Sequence, residues 1–497
     1  MTAPLPIILD ITVLAIGLIL ILWEAFDDDQ EKSFLGWIAI TGIATVFVLS
    51  FFARPVEFAS TSQLARFYTG DAFALFYKRI ALGATLLVLI MAVEYRPILA
   101  RFIPGVSPNA GTGEFFALPV LTCAGLMWMA SAVDFVMIFV SLELVTISFY
   151  ILVSYMRRSI GSLEAGVKYL ILGALSAGFL VYGITWIFGV TGQTNLYAVG
   201  EAIRGLPASS ATPLLFGMAL ILVGLGFKIA AVPFQLWVPD VYHGAPTPIT
   251  AFLSVGSKAA GFIVLMRVMQ PFLGDPAIAA KLLIAFSGMA FLTLIYGNLA
   301  AMPQDNLKRL LAYSSIGHAG YLLMALASWD RNGVVPVTIS YYLAGYLLMT
   351  LLAFLVMVIV NKATGGDDIV NFNGLSQRSP VLAFGMLMAM LSLAGVPFTA
   401  GFLGKLLVFR DAIAAHHWGL LAVGVITVGA GFYYYLKVVR AMYWKPASDA
   451  SPIASTALVK ATIGVLVAFI LILGVYPQPI FKMLRTQPEP PQAAANV

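Results

Sequence analysis

Long apolar runs, repeated along the whole chain, constrain this sequence more than any other feature. A helix needs about 20 mostly apolar residues to cross a hydrocarbon layer about 30 Å thick, and about fourteen runs of that kind are present. They lie at 6–25, 35–53, 79–95, 114–131, 133–154, 163–189, 212–236, 246–270, 278–302, 307–328, 335–361, 380–412, 417–443 and 459–478. Because lipid offers backbone amides and carbonyls no partners, such runs form helices. The sequence predicts an all-α polytopic membrane protein with about fourteen transmembrane helices.

The amino-acid composition agrees with this interpretation and excludes several classes of protein. Of 497 residues, 61% are apolar and 10% are charged, whereas a soluble domain has about 45 to 50% apolar and 25% charged residues. The net charge of +5 comes from lysines and arginines spread in short clusters between apolar runs. That distribution is typical of membrane loops and not of a nucleic-acid-binding surface. The single cysteine, Cys123, excludes a disulfide framework, a cysteine metal site and an iron–sulfur cluster.

The loops and chain ends indicate how the protein lies in the membrane. The segment from Met1 to Asp10 lacks the basic region and cleavage site of a secretory signal, so the first run is predicted to be a retained helix. Basic residues at 157–158, 308–309 and 362–378 favour a cytoplasmic side for the loops that follow odd-numbered spans. With an even number of spans, this assignment places both termini on the outer side of the membrane. The proline-rich tail from Arg485 onward is predicted to be disordered or surface-bound.

Two of the spans contain helix breakers near their middle. Glycines and Pro233 flank Lys228 in the first, and Pro397 with three glycines precedes Lys405 in the second. Both spans should kink or unwind. Paired interruptions of this kind indicate a transport pathway between structural repeats. The similar sequences Ala-Ala-Val-Pro-Phe and Ala-Gly-Val-Pro-Phe at these two places favour an internal duplication.

Ionisable side chains deep inside apolar spans are the strongest functional signal. They are Glu143, Lys168, Lys228, Lys258 and Lys405, with His318 in similar surroundings. A charged residue at mid-bilayer costs about 2.5 to 3.5 kcal/mol even on insertion scales, so such residues face a protein interior or a wet cavity. Groups of this kind mark ion or proton pathways.

A proton-transfer mechanism follows from these residue types. A carboxylate near a buried lysine favours the protonated lysine, so movement of Glu143 toward or away from Lys228 would hold or release a proton. A hydrated chain through Lys258 and His318 could then deliver the proton to Lys405, since histidine exchanges protons near neutral pH. Moving a proton against the membrane potential requires about 2.3 kcal/mol per 100 mV. The sequence has no phosphate-binding loop, dinucleotide fingerprint or metal cluster, so partner subunits must supply that energy.

Structural roles are the alternative for each of these residues. Glu143 and one lysine could form an ion pair that fixes helix packing, and His318 could be a hydrogen-bonded core histidine. The tyrosines at 433–435 are interpreted as belt or packing residues. Other ionisable residues are interpreted as interfacial or structural, and these are Asp10, Glu24, Glu94, Asp134, Arg267 and Lys437.

Three motifs carry a resemblance to a known family. They are Gly226-Phe-Lys-Ile-Ala-Ala-Val-Pro-Phe-Gln-Leu-Trp-Val-Pro-Asp-Val-Tyr-His-Gly-Ala-Pro-Thr-Pro with Ser257-Lys-Ala-Ala, Asn306-Leu-Lys-Arg-Leu-Leu-Ala-Tyr-Ser-Ser-Ile-Gly-His, and Leu393-Ala-Gly-Val-Pro-Phe-Thr-Ala-Gly-Phe-Leu-Gly-Lys. Over roughly residues 115–445 the chain resembles the antiporter-like subunits of proton-pumping NADH:quinone oxidoreductase, respiratory complex I. The first motif resembles the N subunits, because the L and M subunits and sodium/proton antiporters differ there.

The resemblance implies a role for each buried charge. Glu143, in Ser-Leu-Glu-Leu, matches the acidic residue of the fifth helix, and Lys168 matches the lysine of the sixth. Lys228 matches the pumping lysine of a broken seventh helix. Lys258 matches the lysine of the central axis, and Lys405 the terminal residue of a broken twelfth helix.

The resemblance also implies the surroundings of the chain. Flavin, iron–sulfur clusters and quinone belong to partner subunits, and this chain is expected to hold no cofactor or metal. Other membrane subunits should flank it on both sides in a hetero-oligomer of the bacterial inner membrane. Gln235 departs from the family, which often has a titratable histidine there, and the long lateral helix of the L subunit is missing.

The resemblance divides the chain into two inverted five-helix repeats with added helices. The predicted units are 1–110, containing helices 1–3, the repeats 111–272 and 273–445, and 446–497 with the last helix and the tail. Rival interpretations are a stand-alone cation/proton antiporter, a purely structural scaffold, and the equivalent subunit of a ferredoxin- or hydrogenase-linked complex.

Overall fold

The structure is a computed structural model that describes residues 5–26, 33–56, 58, 62–103, 113–329, 333–447, 449 and 451–484. Within these ranges the chain forms twenty α-helices, joined by short turns and a few isolated β-bridges. The tail from Arg485 onward lies outside the described residues.

The helices follow the apolar runs closely. In chain order they are α1 Leu5–Phe26, α2 Ser33–Ser50, α3 Ala72–Leu99, α4 Gly113–Ser131, α5 Phe135–Val153, α6 Ile160–Thr191, α7 Leu196–Arg204, α8 Ala211–Ile229, α9 Val238–Gly244, α10 Thr247–Phe252, α11 Lys258–Met269, α12 Pro276–Ala301, α13 Leu307–Ala327, α14 Val334–Thr364, α15 Leu375–Arg378, α16 Pro380–Ala394, α17 Ala400–Ala414, α18 Trp418–Trp444, α19 Ala457–Val475 and α20 Gln478–Leu484.

The protein is an all-α polytopic membrane protein, as predicted. Twelve helical stretches in the described part of the chain are long and apolar enough to cross a membrane, and two shorter apolar helices, Phe34–Ser50 and Pro380–Ala394, accompany them. The total of about fourteen spans therefore stays a prediction. The inverted orientation of the two repeats, the four predicted units and the side of the termini also stay predictions.

The helices differ in how much of their surface other helices cover. The span Thr247–Met269 is buried over the whole of its apolar window, and α13 and α14 are buried over 94% and 89% of theirs. By contrast, α6, α12 and α18 are buried over only 28%, 33% and 33%. A helix that is apolar all round belongs in the interior or against lipid. Hence α10, α11, α13 and α14 form the centre of the molecule.

Both predicted interruptions are present. The first leaves α8 at Ile229, passes through Ala230 at φ 65° and the cis peptide Val232–Pro233, and resumes at α9. The second separates α16 from α17, with Gly395 at φ 92°. Freed backbone amides must find partners inside the protein. The Val232 amide donates to Thr293 Oγ1 at 2.9 Å and the Gly401 amide to Ser392 Oγ at 3.2 Å.

A third interruption was not predicted. Residues Leu253–Ser257 form a π-helical segment between α10 and α11, and Lys258 is the first residue after it. Segments of this kind widen a helix by one residue and are frequent at functional sites. No proline marks the segment, and Gly256 alone would not have identified it.

Ion pairs near helix ends connect α3 to the central helices α11 and α14. Arg267 of α11 pairs with Asp71 at the start of α3 at 2.8 Å, and Lys362 of α14 pairs with Glu94 of α3 at 2.9 Å. These contacts agree with the structural interpretation of Arg267 and Glu94. Asp10, also interpreted as interfacial or structural, is completely buried in α1 and pairs with Lys78 of α3, which agrees with a structural role.

Candidate functional site

Lys228 lies in the last turn of α8, just before the first interruption. Its side chain is buried, and Nζ donates a hydrogen bond to Thr146 Oγ1 of α5 at 2.6 Å. Thr146, Ser176 and Gly224 line a cavity beside the lysine that is about large enough for one water molecule. Among the described residues, the only acceptor of a hydrogen bond from this ammonium group is thus a neutral hydroxyl.

Glu143 lies one helical turn before Thr146 on the same face of α5. The carboxylate is half-buried, and its Oε1 atom is buried without a hydrogen-bond partner among the described residues. Lys228 is the cation whose charge acts on Glu143, yet the two form no ion pair in the described part of the chain. The predicted pair is therefore close enough to interact but not in contact. Sequence reasoning missed Thr146, which holds the lysine instead.

Lys168 does not lie where the sequence predicted it. Its side chain is 41% exposed and pairs with Glu164 and with Asp240 of α9, each at 2.7 Å. Arg309 of α13 contacts the other oxygen of Asp240 at 3.1 Å. Partial burial works to raise the pKa of Asp240, but hydrogen bonds from Lys168 and Arg309 outweigh it and hold the pKa below its ordinary value. The expectation of a deeply buried Lys168 is wrong, since α6 belongs to the outer layer.

Lys258 lies at the end of the π-helical segment, in the centre of the molecule. Its side chain is buried, and Nζ donates to the backbone oxygen of Ser315 and, at 2.5 Å, to Ser315 Oγ. The ammonium group also faces the ring of Tyr346, with Nζ 5.2 Å from the ring centroid. Ser315 Oγ also lies 3.3 Å from the hydroxyl of Tyr242. Every described partner of this buried ammonium group is neutral.

His318 lies one turn after Ser315 on α13. The tyrosine hydroxyl of Tyr342 is 2.7 Å from Nδ1, and that of Tyr435 is 3.2 Å from Nε2. The hydroxyl of Tyr435 is also hydrogen-bonded to Ser314 Oγ. Both ring nitrogens are therefore hydrogen-bonded to groups that can donate or accept. Tyr435 was interpreted as a belt or packing residue, and its buried position against His318 agrees with packing.

Lys405 lies in α17 and reaches back to the second interruption. Nζ donates to the backbone oxygens of Leu393 and Ala394, each at 2.9 Å. These are free carbonyls at the end of α16, where the helix dipole favours a positive charge. The ammonium group also lies 5.3 Å from the centroid of the Tyr321 ring. Again no carboxylate contacts it in the described residues.

The structure brings most of these groups into one central chain. The charges of Lys258 and Lys405 both act on His318. On the other side, Gly261, one turn after Lys258, faces the aliphatic stem of Lys228. The groups thus lie in the order Glu143, Lys228, Lys258, His318 and Lys405, with Lys168 apart at the surface. Gln235 is buried in the first interruption, and its Oε1 atom has no described partner.

Known proteins resemble this chain over most of its length. A family model described as NADH:quinone oxidoreductase/Mrp antiporter, TM, matches residues 132–431. NADH-quinone oxidoreductase subunit N of Trichlorobacter lovleyi is 40% identical over 436 residues, which cover 87% of this chain and 86% of the relative. The same subunit of Heliobacterium modesticaldum is 38% identical over 97% of both chains.

Solved structures agree with these relatives. A chain of respiratory complex I from Thermus thermophilus is similar with a TM-score of 0.78 and 29% identity, over 95% of this chain and 98% of that one. A chain of the Mrp complex from Dietzia has a TM-score of 0.83 at 20% identity, over 97% and 96%, which supports the fold alone. All six candidate residues lie within the region that the family model matches.

Proposed function

Since the chain belongs to the transmembrane family of NADH:quinone oxidoreductase and Mrp antiporters, and is related over most of its length to subunit N of the oxidoreductase, we propose that it is a proton-translocating membrane subunit of such a complex. It would be located in the inner membrane of a bacterium. Protons would move through its central chain, and quinone reduction in partner subunits would supply the energy.

The observation that carries the proposal is the set of buried lysines with neutral partners. Lys258 and Lys405 are buried, and every described hydrogen bond that their ammonium groups donate is accepted by a hydroxyl or a backbone carbonyl. A buried charge that only needs to stabilise the fold is normally paired with an opposite charge. Without a counter-charge, the charged and neutral forms of a lysine are more evenly balanced, so the side chain can exchange a proton.

Glu143 would control the first step. When its carboxylate approaches Lys228, the positive charge on that lysine is stabilised. When it turns toward another cation, Lys228 gives up its proton to water in the adjoining cavity. The unpaired Oε1 atom of Glu143 supports this step, because a buried oxygen without a hydrogen bond is free to take a new partner.

Later steps would follow the order of the groups. Lys258 takes the proton, His318 relays it with its two tyrosine partners, and Lys405 passes it on from the second interruption. Lys168 would act at the aqueous surface, where it and Asp240 exchange protons with water next to α9. Its partial exposure and its ion pairs support that position.

Other membrane subunits would flank the chain, and redox cofactors would belong to further partners. The outer faces of α6, α12 and α18 support this arrangement, because they present large apolar side chains such as Val167, Ile171 and Ile284 to the outside. Such faces require lipid or another membrane protein.

The direct test is the substitution Lys228→Ala in the intact complex, reconstituted into liposomes. We expect quinone reduction to continue while proton uptake per electron falls. Normal translocation in a fully assembled variant would overturn the role of Lys228. Ion exchange by the purified chain without a redox donor would instead favour a stand-alone antiporter. A lower yield of assembled complex, with unchanged proton uptake per electron in the complex that does assemble, would favour a scaffold.

A further inference from the structure

The ring of Tyr346 on α14 contacts two of the proton carriers at once. Its centroid lies 5.2 Å from Nζ of Lys258 and 4.9 Å from the centroid of the His318 ring. Tyr346 is itself buried, with 1% of its surface exposed. No other described side chain makes ring contacts to both of these groups.

No hydrogen bond joins Lys258 to His318 in the described part of the chain. Among the described residues, Lys258 donates hydrogen bonds only to Ser315, and His318 forms hydrogen bonds only with Tyr342 and Tyr435. Proton transfer between them requires at least one bridging water, since protons move along hydrogen bonds. The neighbour that Lys258 and His318 share is the aromatic ring of Tyr346. Its edge carries hydrogen atoms and no lone pairs, so it accepts no hydrogen bond there from such a water.

The hydroxyl of Tyr346 is held by the π-helical segment. It lies 2.9 Å from Ser254 Oγ, four residues before Lys258. Two further hydroxyls, those of Ser315 and Thr350, lie near it. The bond to Ser254 therefore ties the Tyr346 side chain to the segment that ends at Lys258.

We propose that Tyr346 is the gate between Lys258 and His318, closed while its hydroxyl binds Ser254 and open when that bond breaks and the ring moves aside. This rests on the function proposed above. In the closed state the ring fills the space beside both carriers. In the open state water enters between them, takes a proton from the Lys258 ammonium group and gives one to the unprotonated nitrogen of His318. Lys258 becomes neutral and His318 becomes cationic, so charge is conserved.

The gate is tested by proton flux in liposomes that contain the intact complex, with and without turnover. Tyr346→Leu removes the ring, and we expect a higher passive proton conductance and fewer protons moved per electron. Tyr346→Phe and Ser254→Ala keep the ring but remove its tether. Each should raise the conductance roughly fivefold, the factor that one ordinary hydrogen bond represents.

The double variant Tyr346→Phe with Ser254→Ala should raise conductance no further than either single change, since both remove the same bond. Thr350→Val leaves the bond to Ser254 in place and should change neither the passive conductance nor coupled transport. The matched control is Tyr341→Leu. Tyr341 is an equally buried tyrosine of α14 whose hydroxyl donates to the Leu473 backbone at 2.7 Å, away from both carriers.

The outcomes separate the gate from the function on which it rests. If Lys258→Ala abolishes pumping but Tyr346→Leu leaves conductance and stoichiometry at the level of Tyr341→Leu, the gate is overturned and the function is not. If Lys258→Ala pumps normally, the function fails and the gate fails with it. Additive effects of the two tether variants would also overturn the gate.

Discussion

Two regions of the molecule bury a lysine in opposite ways. In the N-terminal helices, Lys78 of α3 is fully buried and pairs with Asp10 of α1 at 2.7 Å, with the hydroxyl of Tyr68 at 2.5 Å. In the centre, Lys258 is also buried, but among the described residues it contacts only Ser315 and the face of the Tyr346 ring. A carboxylate holds an ammonium group in its charged form, whereas neutral partners do not. The difference separates a lysine that fixes structure from one that can exchange protons.

Among the substitutions that test this difference, Lys258→Arg should have the largest effect on proton translocation. Arginine keeps a positive charge but does not lose its proton in proteins. We expect translocation through this chain to stop while quinone reduction and assembly persist, as measured by proton uptake per electron in liposomes. Lys78→Arg is the matched control, because a guanidinium can still pair with Asp10. Equal translocation in the two variants would remove the distinction between the lysines.

A large loss of stability is expected from Lys78→Met. It leaves the Asp10 carboxylate buried and unpaired, and breaking a buried pair in this way costs about 3 to 5 kcal/mol. Thermal unfolding of the assembled complex, or the yield of the subunit in it, measures the loss. Adding Asp10→Asn should recover much of it, since the orphaned charge is removed. Proton uptake per electron in whatever complex assembles should stay normal, and a specific pumping defect would count against the structural role.

Thr146→Asp would turn an exchanging lysine into a paired one. Aspartate is close to threonine in size, so it places a carboxylate near the position where Lys228 now contacts a hydroxyl. We expect coupled transport to slow, because the proton on Lys228 is held more tightly. Thr146→Val, which removes the acceptor without adding charge, should have the smaller effect on transport. The reverse order would show that the hydroxyl and not the charge balance matters.

The smallest effect is expected at the surface network. Asp240→Asn removes two ion pairs whose members are partly exposed, so the loss should be within about 1 kcal/mol. The pKa of Asp240 is lowered in the folded protein, so its contribution is present above its ordinary pKa of about 3.9. It is lost as pH falls through the lower folded value. Unfolding of the two proteins should therefore differ at neutral pH and converge in acid, and a constant difference would contradict the assignment.

Much of the fold was predictable from the sequence, because length and apolarity fix membrane helices and Pro233 and Pro397 fix the interruptions. Burial was predicted for all six candidate groups on the same grounds. The structure buries four of them and half-buries Glu143; the four are Lys228, Lys258, His318 and Lys405. Lys168 was misplaced, since an apolar run does not reveal which face of α6 is covered. The partners of the buried lysines depend on contacts between distant helices. Asp10 meets Lys78 and Ser315 meets Lys258 only through packing.

The central claim is that buried lysines without a counter-charge change their charge during turnover. Infrared difference spectra of the intact complex, recorded before and after reduction with ¹⁵N-labelled lysine, would report the ammonium groups directly. The account predicts a lysine signal that disappears in Lys258→Met and persists in the Lys78→Met, Asp10→Asn double variant. A spectrum that Lys258→Met leaves unchanged would show that Lys258 keeps one charge state, and would contradict the account.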